Sequence, residues 1–196
     1  MEDEVLENIS SFIYNRFRHD ATGHDFYHMK RVAKMAKRLA VLEGADPFIS
    51  ETAGWLHDTL DPKLTENLTE AKQEVINLLE FCHIPQKEQK QILRAMEAVS
   101  FKSGHRIPQC IEGKVVQDAD RLDAIGAIGI ARAFSFGGAK GQALHSETSE
   151  ETTIRHFYDK LLKIQGLLNT PSAVKIGQKR HDFLETYLHQ FYEEWM

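Results

Sequence analysis

The sequence predicts an all-α fold, a single compact helical bundle, and three observations lead to this prediction. Apolar residues recur at intervals of three and four in successive stretches of the chain, the spacing of helices with one buried face. No stretch shows the sustained alternation that a half-buried strand needs. The 196 residues, 42% hydrophobic and 27% charged, have the size and balance of one globular domain. We therefore expect one domain over residues 1–196.

The first two predicted helices place a histidine on a buried face. An apolar stripe over residues 5–17 predicts the first helix. A second stripe runs from His28 to Leu39, and Gly44 marks the expected end of that helix. His28 is therefore predicted to face inward near the start of the second helix.

The third predicted helix ends close to a second histidine. Asp46 and Pro47 supply a cap and a first-turn proline, so a helix is expected from there to His57. Pro62 fits poorly inside a helix, so residues 58–63 are expected to form an exit turn. Side chains on such a turn are well placed to gather around a site.

Further helices follow, and the last ones are expected to pack over a metal-site core at about residues 20–135. Their apolar stripes cover residues 68–82, 85–99, 112–127, 154–162 and 173–195. Residues 136–141 contain three glycines and no helical period, which predicts a mobile loop and a candidate lid. Thr148 and Glu151 have the spacing of a capping box ahead of the penultimate helix.

The dipeptide His57-Asp58 is the strongest chemical signal in the chain. A histidine and a neighbouring carboxylate that both turn inward each need a partner, and a divalent cation would partner both. The same dipeptide occurs at His24-Asp25 and His181-Asp182. The first precedes a helical stripe and the second lies within the last helix, so we interpret both as structural, the former as a cap or a hydrogen-bonded turn.

One divalent metal ion would be held by two histidines and two aspartates, namely His28, His57, Asp58 and Asp120. Nitrogen and oxygen donors without thiolate favour manganese, iron, cobalt, nickel or zinc over a structural zinc site, and manganese is our preferred choice. Asp118 and Asp120 lie about 200° apart on an ideal helix, so only one of them faces the ion, and periodicity leaves both open. For His28 the alternative is a core histidine bonded to a carbonyl.

These residues resemble the HD-domain metal-dependent phosphohydrolases, whose pattern is an early helical His, a His-Asp pair and a later helical Asp. The resemblance spans about residues 20–135. The phrases GHDFYH at 23–28 and QDADRLDAIGA at 117–127 are similar to those of the bacterial YpgQ/YedJ group. The resemblance favours Asp120 as the fourth ligand. It implies hydrolysis of phosphate compounds, with cleavage of nucleoside triphosphates to monophosphate and pyrophosphate as one activity.

The resemblance also implies a proton acceptor. Asp61 lies four residues after His57, where some HD hydrolases carry a catalytic carboxylate, and a carboxylate there would take a proton from water. Its alternative role is that of a turn residue before Pro62. Arg31 and Lys63 are candidates for binding a phosphate, and the alternative is that both are solvated surface charges.

For the other polar residues, the sequence leaves the role open. Asp123 would either assist the site or form a salt bridge with Arg121 or Lys114. The histidines without an assigned role are His105, His145 and His156.

The predicted function is that of a metal-dependent phosphohydrolase acting on a small phosphorylated substrate, preferably a nucleotide. Within the enzyme class the alternatives are a phosphomonoesterase, a cyclic-nucleotide phosphodiesterase and an alarmone hydrolase. A non-catalytic nucleotide-binding or metal-binding regulatory module is a rival from another class. A helical interaction protein, with its His and Asp side chains satisfied by ordinary hydrogen bonds, is a third.

Composition and sequence patterns limit which binding partners and which cellular location we expect. The net charge of -5 argues against extended nucleic-acid binding. No signal peptide pattern and no apolar run of about 18 residues occurs, so we expect a cytoplasmic protein without membrane contact. Cys82 and Cys110 lack a CxxC spacing, which favours reduced thiols. The stripe ending in Phe191, Tyr192 and Trp195 would pack within the monomer or, alternatively, across a homodimer.

Overall fold

The computed structural model of the protein describes residues 2–20, 23–62, 64–65, 67–97, 99 and 107–195. Across these residues the fold is all-α, which confirms the predicted class, and the one β-type contact is a bridge between Ala143 and Thr152. The α-helices are α1 (Glu2–Phe17), α2 (Phe26–Glu43), α3 (Pro47–Leu56), α4 (Leu68–Phe81), α5 (Gln86–Met96), α6 (Ile111–Asp123), α7 (Gly126–Ala139), α8 (Thr153–Asp159) and α9 (Pro171–Glu194). Within the described ranges, 3-10 segments lie at His57–Leu60 and Leu161–Leu167.

Helix α2 lies at the centre of the bundle and packs mainly against α3 and α6. Its contact with α3 is close because Gly54 has no side chain, and a Cβ there would lie 2.8 Å from the Cα of Ala33. The crossing places the start of α2 beside the end of α3. The ring centroids of His28 and His57 are consequently 5.2 Å apart.

The predicted helix boundaries around α2 and α3 are confirmed. Asp25 caps α2 by accepting a hydrogen bond from the His28 amide, and Gly44 ends that helix with a φ of 70°. Asp46 caps α3 by accepting from the amides of Phe48 and Ile49. These caps satisfy amides that have no partner within their helix.

The prediction of a single helix over residues 112–127 is wrong, because the helix is interrupted between Asp123 and Gly126. Gly126 has a φ of 76°, a conformation that L side chains rarely adopt and that ends the α6 geometry. Helix α7 then packs against α9. The apolar stripe continues through the break because both helices contribute to the same core.

The loop predicted over residues 136–141 is also wrong in its first part, since α7 continues to Ala139. Gly137 serves packing: a Cβ there would lie 2.1 Å from Thr153 Oγ1, so only glycine permits this approach of α7 to the start of α8. The predicted capping box is misplaced as well. Thr152, which pairs with Ala143, caps α8 by accepting from the Arg155 amide.

The C-terminal helix is part of the same packing. Buried apolar side chains form one cluster that extends from Ile9 in α1 to Leu188 in α9. The aromatic residues at the end of α9 gather around His145, whose ring centroid lies 5.3 Å from Tyr192 and 5.1 Å from Trp195. Tyr192 and Trp195 nevertheless stay 41% and 39% exposed, so packing within the monomer and packing across a homodimer both stay predictions. In the described part of the chain, no helix has the length and apolar character to cross a membrane.

Candidate active site

The four predicted metal ligands lie together at the junction of α2, α3 and α6. His28 Nε2 lies 3.5 Å from an Asp58 oxygen and 3.6 Å from an Asp120 oxygen. His57 Nε2 lies 3.3 Å from the other Asp58 oxygen and 3.9 Å from the same Asp120 oxygen. His28 and His57 are almost fully buried, as is Asp58, while the Asp120 side chain is 29% exposed.

The orientation of His28 is set by Asp123. The Nδ1 of His28 donates to an Asp123 oxygen at 2.8 Å, which leaves Nε2 as the nitrogen that faces Asp58 and Asp120. Asp123 also accepts from Arg31 at 2.7 and 3.0 Å and from Arg132 at 2.8 Å. Despite its burial, these donors hold the pKa of Asp123 well below its usual range. Such a partner on the second ring nitrogen is common for metal-binding histidines.

His57 is held in the same manner by the backbone. Its Nδ1 donates to the Gly54 carbonyl at 2.8 Å, and Nε2 again points toward the two carboxylates. Burial lowers the pKa of His57, but Asp58 and Asp120 together with the Gly54 bond outweigh it and raise the pKa to about 9. The centre of the cluster therefore favours a positive charge.

The chemistry of these donors fits a metal ion. Among the described residues, neither His28 Nε2 nor His57 Nε2 has a hydrogen-bond partner, although both atoms are buried. Buried polar atoms normally have one, and a cation would provide it. His28, His57 and Asp120 each offer one ligand atom within 4.8 Å of the others, so the cluster can hold a divalent metal.

His24 belongs to this cluster, which corrects its interpretation as a purely structural residue. Its Nδ1 donates to an Asp58 oxygen at 2.6 Å, and its ring lies edge-on to that of His28. Burial raises the pKa of Asp58, but His57, His24 and His28 outweigh it and hold that pKa well below its usual range. Only Asp25 of the dipeptide acts as the predicted cap.

The structure separates the two aspartates that periodicity left open. Asp118 is fully buried and points away from the histidines. It accepts bonds of 2.7–2.9 Å from the backbone and side chain of both Asn169 and Thr170, where α9 begins. Asp118 thus ties α6 to the start of α9, and Asp120 is the aspartate beside His28 and His57.

A cavity of about 380 Å³ opens beside the cluster. Three aspartates line it, Asp58, Asp61 and Asp120, as does His24. Asp61 is 6% exposed and follows the 3-10 turn, where its amide donates to the Asp58 carbonyl. The other polar and charged side chains that line the cavity are Arg121, Arg132, Gln142, Thr152, Thr153, His156 and Lys160.

Of the two predicted phosphate-binding residues, Arg31 does not line this cavity. Arg31 makes its bidentate pair with Asp123 and lines a neighbouring cavity of about 320 Å³, which shares Arg132 with the first. Lys63 lies outside the described residues, and so does His105. Asp123 forms its salt bridges with Arg31 and Arg132. Arg121, one of the predicted partners, donates instead to the Leu167 carbonyl.

Sequence reasoning missed three contributors to the site. Arg132 lies more than 70 residues from the His57-Asp58 dipeptide, and no local motif marks it. His156 was noted without a position, and the structure places it in the cavity. For His24 a signal existed, since it stands only four residues before His28 and a helix start can bring such residues together.

Known proteins share this fold over nearly the whole chain. Residues 25–125 match the HD domain family. The protein YpgQ of Bacillus subtilis (strain 168) is 38% identical over 192 residues, which cover 96% of this chain and 93% of YpgQ. The crystal structure of Bacillus subtilis YpgQ in complex with ADP matches with a TM-score of 0.85 at 37% identity, covering 100% of this chain and 98% of that chain.

A second similar structure is that of a hydrolase. An HD-superfamily hydrolase from Bacillus thuringiensis is 41% identical, with a TM-score of 0.85, and the match covers 100% of this chain and 98% of that chain. These similarities confirm the resemblance first noted around His28, the His57-Asp58 dipeptide and Asp120. The chain belongs to the HD domain family of metal-dependent phosphohydrolases.

Proposed function

We propose that this protein hydrolyses a nucleotide, most favourably a nucleoside triphosphate to monophosphate and pyrophosphate, with one divalent cation, preferably manganese. One observation carries the proposal: two buried imidazole nitrogens without hydrogen-bond partners among the described residues face two carboxylates beside a cavity. Ordinary core packing does not leave two such atoms side by side.

The proposed ligands are His28, His57, Asp58 and Asp120. When bound, a divalent cation would supply Lewis acidity, withdrawing electrons from a phosphate oxygen and making water more acidic. The protein's own part is orientation, because each histidine is fixed through Nδ1 before any ion arrives.

Asp61 is the proposed general base. It lines the same cavity as Asp58 and Asp120 and follows Asp58 by three residues, so it is held by the rigid 3-10 turn. A carboxylate in that position can orient the attacking water and accept its proton. Lys63 and Arg31 keep their proposed roles in neutralising phosphate charge, although Arg31 is paired with Asp123 and lines the neighbouring cavity.

A nucleotide is supported by the relative and by the cavity. Bacillus subtilis YpgQ, 37% identical over this whole chain, was crystallised in complex with ADP. Ligand pockets for small molecules have volumes of roughly 300–1,000 Å³, and the cavity here falls in that range. We also propose that the chain works as one domain, since one buried apolar cluster extends from α1 to α9.

The test is product release from a panel of nucleoside and deoxynucleoside triphosphates by manganese-loaded protein. We expect pyrophosphate and the monophosphate as products. The variant His57→Ala/Asp58→Ala should abolish release, whereas His181→Ala/Asp182→Ala, which alters the equivalent dipeptide in α9, should leave it unchanged.

A second variant separates binding from turnover. Asp61→Asn should bind manganese like the wild type and lose turnover by about 10²–10⁴-fold, the usual contribution of a general base. Silence across the triphosphate panel from protein that holds stoichiometric manganese would overturn the proposed reaction. Full activity of Asp61→Asn would remove Asp61 as the base.

A further inference from the structure

We infer that Arg132, His156 and Lys160 form a subsite for the phosphate chain of the substrate, here called the phosphate subsite. This inference rests on the proposed function, because it assumes that the reacting phosphate lies at the His-Asp cluster. All three side chains line the cavity that the cluster borders. They lie in or just after α7 and α8, beyond residues 25–125 where the HD domain matches.

Charge balance shows why the cavity needs such a subsite. Asp58, Asp61 and Asp120 bring three carboxylates to one cavity of about 380 Å³. A divalent cation compensates two of these three negative charges. The remaining negative charge repels an anionic substrate. A substrate with several phosphates must therefore meet further positive groups, and Arg132 and Lys160 are basic side chains on the same lining.

Arg132 is fixed in place before a ligand binds. Its Nη1 donates to Asp123 at 2.8 Å and its Nη2 donates to the Gly23 carbonyl at 2.6 Å. A guanidinium has five N–H donors, so these two bonds leave donors for a phosphate oxygen. Because the side chain is already ordered, binding costs little further conformational entropy. Asp123 thereby connects Arg132 to the orientation of His28.

His156 and Lys160 supply two different donors one helical turn apart. Desolvation by the surrounding protein, and next the charge of Lys160, lower the pKa of His156, which favours the neutral ring with one N–H donor. Lys160 contributes a compact point charge. A neutral donor beside a cation suits a phosphate chain, whose oxygens accept both kinds of hydrogen bond.

A neighbouring hydroxyl lacks a partner. Thr153 lines the same cavity and is 2% exposed, yet its Oγ1 has no hydrogen-bond partner among the described residues. Gly137, whose missing side chain makes room for this hydroxyl, lies in α7 like Arg132. Thr153 therefore adds a polar group without a partner to this wall of the cavity.

The experiment compares Lys160→Ala with Lys163→Ala, which removes an exposed lysine of the same segment that does not line the cavity. Isothermal titration would measure binding of GDP and of GMP to each manganese-loaded protein. Lys160→Ala should weaken GDP binding by about 10- to 100-fold, as expected for a charge-assisted hydrogen bond, and leave GMP binding nearly unchanged. Lys163→Ala should match the wild type, and Lys160→Arg should restore most of the affinity for GDP.

Hydrolysis then separates this inference from the proposed function. For triphosphates, Lys160→Ala should raise KM with little change in kcat, whereas Lys163→Ala should keep both at the wild-type values. If GDP binding falls but no triphosphate is hydrolysed by any variant, the subsite stands and the proposed reaction fails. If Lys160→Ala matches Lys163→Ala in GDP affinity and in KM, the subsite is refuted whatever the enzyme's reaction.

Discussion

The two aspartates of α6 offer the sharpest test of the structure, because they are two residues apart and have opposite roles. Asp118 is fully buried and holds the start of α9, whereas Asp120 lies beside His28 and His57. Replacing each by alanine should therefore affect two different quantities: the free energy of unfolding for Asp118→Ala and the affinity for manganese for Asp120→Ala.

The magnitudes follow from the contacts. Asp118 accepts four hydrogen bonds, and each buried donor left without its acceptor costs about 1–3 kcal/mol, although not additively. Burial raises the pKa of Asp118, which shows that desolvation offsets part of this gain. We therefore expect Asp118→Ala to lower the free energy of unfolding by about 3 kcal/mol.

Asp120→Ala should behave differently. Its side chain is partly exposed, so the free energy of unfolding of the metal-free protein should change by less than about 1 kcal/mol. Manganese at one hundred times its Kd stabilises a protein by about 2.7 kcal/mol. Asp118→Ala should keep that increment, and Asp120→Ala should lose most of it.

Urea unfolding with and without manganese measures both quantities for both variants. Circular dichroism follows the unfolding, and isothermal titration gives the metal affinity directly. If Asp118→Ala loses manganese binding while Asp120→Ala retains it, the assignment of the fourth ligand is refuted. If manganese stabilises Asp120→Ala as much as the wild type, Asp120 is not a ligand.

Three further predictions concern the residues that hold the cluster. Asp123→Asn should weaken manganese binding by about 10- to 100-fold, since His28 loses its carboxylate partner, and an unchanged titration would contradict this. The pKa of His57 is raised to about 9 from 6.5, so its protonation stabilises the metal-free fold fully below pH 6.5 and this contribution is lost as the pH rises through 9. Manganese binding at pH 7.5 should consequently release about one proton, seen as heats that depend on buffer ionisation, and equal heats in all buffers would refute it. Gly54→Ala should lower the free energy of unfolding by about 1–3 kcal/mol because its Cβ would meet Ala33, and urea midpoints test this.

The parts of the fold that were predictable are those with local causes. The caps by Asp25 and Asp46 and the break after Gly44 depend on neighbours within a few residues, and all were predicted. The glycines of residues 136–141 were misjudged for the opposite reason. Gly137 is explained by its contact with Thr153, which no local pattern contains.

The candidate site divides in the same way. His28, His57 and Asp58 were named as ligands from a helical stripe and a dipeptide, and their roles stay predictions although the structure brings them together. His24 and Arg132 were not assigned to the site. Arg132 reaches Gly23 across 109 positions of sequence, and such a separation leaves no trace in spacing.

The sequence by itself determined an all-α chain, the HD pattern and the inward face of α2, because helical periods and caps are local properties of the backbone. Helical periodicity could not separate Asp118 from Asp120, and only the family resemblance favoured Asp120. The tertiary structure decided which of them lies beside the histidines, because that depends on which helix packs against each side of α6. The packing of α2 and α3 against α6 places the histidines beside Asp120. Asp118 instead accepts hydrogen bonds from the start of α9. Arg132 and His156 line the cavity because α7 and α8 are positioned by contacts between residues far apart in the chain.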